Sequence, residues 1–333
     1  MTVHRYSILT YRTKGANANV VYTFTNPDRL PNPRWNFVPP YVFQGSTSGY
    51  TSGGYTGVAP SFVNTIDKFP FASNTNATDV GDLTNGGSGG RFAAAGQSSS
   101  SNGYTSGGAA SPSVTRNIID KFPFASNANA TDVGDLLTTR SYVIGQSSST
   151  NGYTSTGFTN VIEKFPFASD ANATDVGDTT INSNWGAAGQ SSTTNGYTSG
   201  GSYGGNVIDK FPFASDANAT DVGDLTKNRS RVAGHSSSTH GYTTGGYAPG
   251  NVTNIIDKFP FASNANATDV GDLLDYGKDY STGQSSTTNG YVAGGSNPGY
   301  VAAIYKFPFA TDSNASSVGN LTQGRSGAAG QQV

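Results

Sequence analysis

The pentapeptide Lys-Phe-Pro-Phe-Ala occurs six times, starting at Lys68, Lys121, Lys164, Lys210, Lys258 and Lys306. A repeat this regular restricts the chain to architectures built from like units. Successive KFPFA or Gly-Tyr starts lie 43 to 54 residues apart. That length suits four short antiparallel strands, the blade of a β-propeller. A β-helix coil needs roughly half of it, and an immunoglobulin-like array about twice.

Within each unit the parts keep a fixed order. A small-residue strand ends in Gly-Gln, as in Ala93 to Gln97 and Tyr142 to Gln146. A Ser/Thr run then reaches Asn102-Gly103, Asn151-Gly152, Asn195-Gly196 or Asn289-Gly290. Asn-Gly tolerates the positive φ of a tight hairpin, so the first two strands should pair antiparallel. The second strand carries Tyr50, Tyr104, Tyr153, Tyr197, Tyr242 or Tyr291 and closes with a Gly pair in five units; the third unit reads Thr156-Gly157. A loop of variable length follows. The third strand holds KFPFA, with proline ending the ladder because it has no amide donor. The fourth is NATDVGDL and its copies, often followed by Arg, as at Arg140, Arg229 and Arg325.

The sequence GYxxGG, then Asp-Lys-Phe-Pro, then Val-Gly-Asp-Leu and Arg resembles the kelch repeat from about residue 41 onward. The resemblance implies an all-β, six-bladed kelch-like β-propeller with four-stranded antiparallel blades. One departure is systematic: the kelch tryptophan is replaced by Thr78, Thr131, Thr174, Thr220, Thr268 and Ser316. The paired phenylalanines Phe69 and Phe71, Phe122 and Phe124, Phe165 and Phe167, Phe211 and Phe213, Phe259 and Phe261, and Phe307 and Phe309 are expected to fill that volume between blades. Burial of each contributes about 1.5–3 kcal/mol. Arg325 to Gln331 matches the first-strand template with no seventh unit behind it. It is expected to complete the first blade as a C-terminal clasp strand. Such near-identical, Ser/Thr/Asn/Gly-rich units also look like those in structural proteins of tailed phages and large viruses.

Two regions follow: an N-terminal arm over 1–45 and the propeller over 46–333. In the arm, Tyr6 to Arg12 and Asn19 to Thr25 alternate as strands do, and NPDRLPNPRWNFVPP is too proline-rich for helix or sheet. The arm holds Arg5, Arg12, Lys14, Arg29 and Arg34 against Asp28, so the remainder of a chain of net charge −2 carries −6. A basic arm ahead of an acidic body suits docking on a partner or neighbouring subunit, with Arg29, Arg34 and Trp35 as assembly residues. No apolar run approaches a membrane span, and the start lacks a signal peptide's apolar segment, so neither membrane insertion nor a cleaved signal is expected.

The chemistry-bearing residues are sparse. There is no cysteine, and His4, His235 and His240 make no triad, HExxH or three-histidine cluster. His235 stands where other units have Gln, and His240 in a hairpin turn; both read as drift at the surface. The stretch Asp170 to Asp178 superficially resembles calcium-binding propeller loops, but its first position is Asn74, Asn127 and Asn264 in half of the copies. Turn chemistry is the better reading, and no cofactor is expected. The lysines of KFPFA and their neighbouring acids, such as Asp120 and Glu163, lie on opposite strand faces and should pair across neighbours in a structural ladder. The acidic body without a basic stripe disfavours nucleic acid. These readings point to a non-enzymatic structural or interaction propeller in a virion or extracellular assembly, anchored by its arm and displaying polar loops. The alternatives are an intracellular kelch-type adaptor, binding through variable-loop residues such as Tyr203 or Tyr247, and a glycan-binding propeller.

Overall fold

The structure is a computed structural model that describes residues 8–10, 21–23, 43–59, 61–84, 90–111, 114–182, 184–202, 205–274 and 277–333. It divides into two compact units, 1–40 and 41–333. In the first unit Ile8–Thr10 pairs antiparallel with Val21–Thr23, inside the two predicted strands. Arg29, Arg34 and Trp35 lie outside the described residues.

The second unit is all-β, with six four-stranded antiparallel sheets arranged as the blades of a propeller. Blade 2 shows the plan: Ala95–Ser98, Asn102–Ser106, Ile118–Pro123 and Thr131–Asp135. Blades 3 to 6 follow in chain order. Blade 1 takes its innermost strand from Ala329–Gln332, which pairs with Ser48–Ser52, so the clasp is intramolecular. Contacts between successive innermost strands run unbroken around the ring.

Three sequence choices fix the packing. The glycine before each tyrosine lies directly opposite the first phenylalanine of KFPFA in the same blade. A Cβ on Gly103 would come within 2.3 Å of the Phe122 ring, so only glycine leaves the ring its place. The tyrosine then packs on the phenylalanine pair of the next blade: Tyr104 lies 5.5 Å from Phe165 and 4.8 Å, stacked, from Phe167. The same contact joins Tyr50 to Phe122 and Phe124, and Tyr291 back to Phe69 and Phe71. Finally, Gly96, Gly145, Gly189, Gly234, Gly283 and Gly330 line the axis, each so close to the preceding blade's glycine carbonyl that a Cβ would lie 2.1–2.3 Å from it.

Polar side chains tie the blades together. Gln97 Nε2 donates to the Tyr153 carbonyl at 3.0 Å and to Thr154 Oγ1 at 3.0 Å in the next blade, and Gln146, Gln190, Gln284 and Gln331 repeat this bond. His235 holds the sixth such position and is fully buried, which corrects its reading as a surface residue. Its ring nitrogens meet the Gln284 carbonyl at 3.2 Å and Thr244 Oγ1 at 3.0 Å, and burial pulls its pKa down to about 4. His240 is half-buried, at its hairpin turn. At the outer rim, Asn129 Oδ1 accepts from the Asp82 amide of the preceding blade at 3.0 Å, and every equivalent asparagine does likewise.

The acids beside KFPFA pair otherwise than the ladder reading expects. Asp120, Glu163, Asp257 and Asp67 are buried against Arg91, Arg140, Arg229 and Arg325 of their own blades. Arg91 was hidden in the sequence by the longer run between Asp82 and itself. Lysines reach across to the next blade's turn instead: Lys121 to Asp170 at 2.5 Å, Lys164 to Asp216 at 2.6 Å and Lys258 to Asp312 at 2.8 Å. The oxygens of the calcium-like stretch are thus engaged in blade contacts and turns, with Asp175 Oδ1 accepting from the Gly177 amide. Among the described residues no cluster of three or more metal-ligating side chains occurs.

Candidate functional site: the channel mouth and its aromatic collar

Strand direction sorts the connections onto two faces. In blades 2 to 6 the innermost strand runs toward its Ser/Thr hairpin, so these hairpins and the FAS-NAN turns of all six blades share one end, here the hairpin face. The connections from second to third strand, and from one blade to the next, share the other, the loop face. The hairpin is nearly the same in the five blades that have it. The loop face is where the units diverge.

Residues 43–45 lie at the hairpin end of the channel, bonded to the innermost strands of blades 5, 6 and 1. The Gly45 amide donates to the Ser285 carbonyl, Gln44 Nε2 to the Ser236 carbonyl at 3.0 Å, and Gln332 Nε2 to the Phe43 carbonyl at 3.1 Å. Gln332 stands where five blades have Ser98, Ser147, Ser191, Ser236 and Ser285. Those serines pass a hydrogen bond from blade to blade, as from the Ser98 amide to Ser147 Oγ at 3.0 Å. The one different side chain grips the segment leading into the ring. Phe43 and the innermost strands bound a cavity of about 120 Å³ along the axis, with Tyr142, Arg231 and Tyr280 at its far end.

At that far end the chain enters each innermost strand through a left-handed residue: Ala93, Tyr142, Gly186, Arg231, Tyr280 and Gly327, at φ 53–67°. This conformation aims each backbone amide around the ring. Tyr142 donates to the Ala93 carbonyl at 2.8 Å, Ala93 to Gly327 at 2.7 Å, Gly327 to Tyr280 at 2.7 Å, Tyr280 to Arg231 at 3.0 Å, and Arg231 to Gly186 at 2.5 Å. Among the described residues the sixth link, Gly186 to Tyr142, is not formed. Glycine takes this conformation freely, whereas a side chain there costs of order 1–3 kcal/mol. Four blades bear that cost, one for Ala93 and three for the large side chains of Tyr142, Arg231 and Tyr280 over the channel.

The gap in the belt is where aromatic side chains collect. Blade 3 has Thr156, at φ 65°, in place of the first glycine of the pair, and then Phe158 at φ 67°. Phe158 is 54% exposed. It lies 5.9 Å from Trp185 at 32°, and both rings meet Tyr142 edge-on, at 5.7 and 5.3 Å. Tyr142 continues to Phe92 at 5.6 Å and Tyr280 at 6.0 Å. The Arg231 guanidinium lies over Tyr280, Tyr247 and Trp185 at 4.9, 5.0 and 5.8 Å, and pairs with Asp279 at 3.2 Å. Burial, then the adjacent Tyr142, pushes the Tyr280 hydroxyl pKa well above its usual value. None of these residues belongs to the repeat template, and the signal for them was divergence itself: Trp185 is one of only two tryptophans in the chain.

The structure thus separates the sequence-singled residues. The phenylalanines of KFPFA lie between blades, where both members of each pair meet the preceding blade's tyrosine. Tyr247 sits on the loop face, 39% exposed, and Tyr203 lies outside the described residues. Next to this collar, blade 4 lacks the buried arginine: Asn184 stands in its place, donating to the Gly200 carbonyl at 2.9 Å. Among the described residues Asp209, 3% exposed, accepts only from the amide and hydroxyl of Thr180, at 2.8 and 2.7 Å, and burial raises its pKa.

No family model matches the chain, and no curated protein matches it. Among the described residues no helix is long and apolar enough to cross a membrane.

Proposed function

We propose that this chain is a non-enzymatic interaction propeller of the kelch type, held in an extracellular assembly such as a virion by residues 1–45, with its loop face turned to a partner. The observation that carries this reading is the concentration of strained, non-repeating aromatic residues around one mouth of the channel. Strain of this sort persists where the surrounding structure is built to hold a side chain in place for use. Support for binding rather than catalysis comes from the acids and bases themselves. Most of the buried ones are matched in ion pairs within blades, and the collar contributes Arg231 with Asp279 and the tyrosines Tyr142, Tyr247 and Tyr280. Support for an anchoring arm comes from its surplus of four positive charges.

The test compares the full chain with one lacking residues 1–40, both produced in cells that carry the gene, in particles pelleted from the medium. The ring closes wholly within 43–333, so the shortened chain should keep its β-sheet circular dichroism spectrum. It should no longer sediment with the particles. Equal sedimentation of the two chains, or absence of the full chain from the particles, overturns the reading.

A further inference from the structure

We infer that the collar at the junction of blades 3 and 4 is a carbohydrate-binding site, taking a neutral pyranose stacked on Phe158 and Trp185 with its hydroxyls on Arg231 and Asp279. The inference rests on the interaction reading above and names the ligand class for its loop face.

Ring geometry comes first. Phe158 and Trp185 are inclined by 32° at 5.9 Å, and Tyr142 braces both edge-on. A free phenylalanine side chain would turn inward to bury its area, yet Phe158 is 54% exposed on a left-handed backbone. That conformation costs about 1–3 kcal/mol and gains the fold little contact in return. An aromatic face kept in water invites a ligand with an apolar face of its own, and the C–H face of a pyranose is one.

Charge comes second. Arg231 and Asp279 neutralise each other at 3.2 Å, and Asp279 Oδ1 also accepts from Ser296 Oγ at 2.5 Å. The Arg231 side chain is 31% exposed, so its guanidinium is within reach of a ligand on the loop face. A charged ligand would compete with this pair, whereas a polyol can accept from guanidinium N–H groups and donate to the carboxylate at once. Stacked bases would also suit the rings, but single-stranded nucleic acid requires a basic track, and the body carries −6.

The experiment applies the labelled full chain to an array of neutral and sialylated glycans, then titrates the best neutral glycan in solution. Binding to neutral glycans is expected, with a tenfold or greater loss of affinity in Phe158→Ala. That side chain is exposed enough for the variant to keep its circular dichroism spectrum. Trp185→Ala should behave alike, and Tyr300→Ala, on another part of the loop face, should bind as the parent does. A blank array overturns the inference while leaving particle attachment untouched, so the two readings fail separately. Binding confined to sialylated glycans, or to proline-rich peptides tried on the same surface, overturns the ligand class. Affinity unchanged by both Phe158→Ala and Trp185→Ala overturns the site.

Discussion

The two faces of the ring are made from the same repeat and have been treated differently. On the hairpin face Asn102-Gly103, Ser99 and their copies recur with little change, and Ser99 Oγ accepts the Asn102 amide at 2.9 Å just as Ser148 accepts that of Asn151 at 3.0 Å. On the loop face equivalent positions hold Ala93, Tyr142, Gly186, Arg231, Tyr280 and Gly327. The left-handed backbone is common to all six; only the side chains differ. Uniformity on one face marks residues whose partners are the next blade's backbone, which is the same in every unit. Divergence on the other marks residues whose partners are side chains particular to one junction.

The sharpest way to break this contrast is to disturb the uniform part. Gly145→Ala places a Cβ 2.1 Å from the Gly96 carbonyl, where backbone would have to move. No cooperative thermal unfolding transition is expected for this variant, and a transition within a few degrees of the parent's would refute the packing of the axis. Phe122→Ala should come next, at about 3–5 kcal/mol of lost stability by denaturant titration. Phe158→Ala on the loop face should change stability by no more than about 0.5 kcal/mol, although both remove a phenyl ring. Similar losses for the two would erase the distinction between faces.

Two further substitutions restore the repeat where it has drifted. The His235 pKa is lowered in the folded protein, so the unfolded chain binds its proton first. Stability from a neutral His235 is present above about pH 6.5 and is lost as pH falls toward 4, amounting to roughly 3 kcal/mol. His235→Gln should remove that decline, seen as acid unfolding at lower pH than the parent; an unchanged acid midpoint would exclude His235 as its source. Asn184→Arg supplies Asp209 with the cation that four other blades possess. A gain of about 1–2 kcal/mol is expected at neutral pH. Because burial raises the Asp209 pKa, the parent loses stability as pH rises through the carboxylate range, and the gain should shrink again in acid. Equal stability of the two chains at pH 7 would mean that the orphan acid costs nothing.

Much of this was legible beforehand, for a physical reason. Strand order, the Asn-Gly hairpins, the proline stop and the closing strand at Ala329 depend on local chemistry repeated six times, and repetition reveals which residues are constrained. Three things were not legible. The Arg91–Asp120 pair joins residues across a connection whose length varies, so spacing hides it. His235 looked like a surface residue because the glutamine it replaces, although it recurs in every other unit, is a polar side chain whose burial polarity alone does not reveal. The collar depends on Tyr142, Phe158, Trp185 and Arg231 meeting at a junction between units, each occurring once. A pattern can be seen by repetition; a site made of exceptions needs the fold to bring the exceptions together.

The closing strand has a consequence in time. The Ser48–Ser52 strand is made first, and its inner neighbour, Ala329–Gln332, is translated some 280 residues later. Until then its backbone donors and acceptors lie open along one side, an unsatisfied template of the kind that recruits foreign strands. Five blades can be complete on the ribosome while the first still waits. A nascent chain of this design should therefore be most vulnerable to aggregation in the interval between synthesis of these two strands.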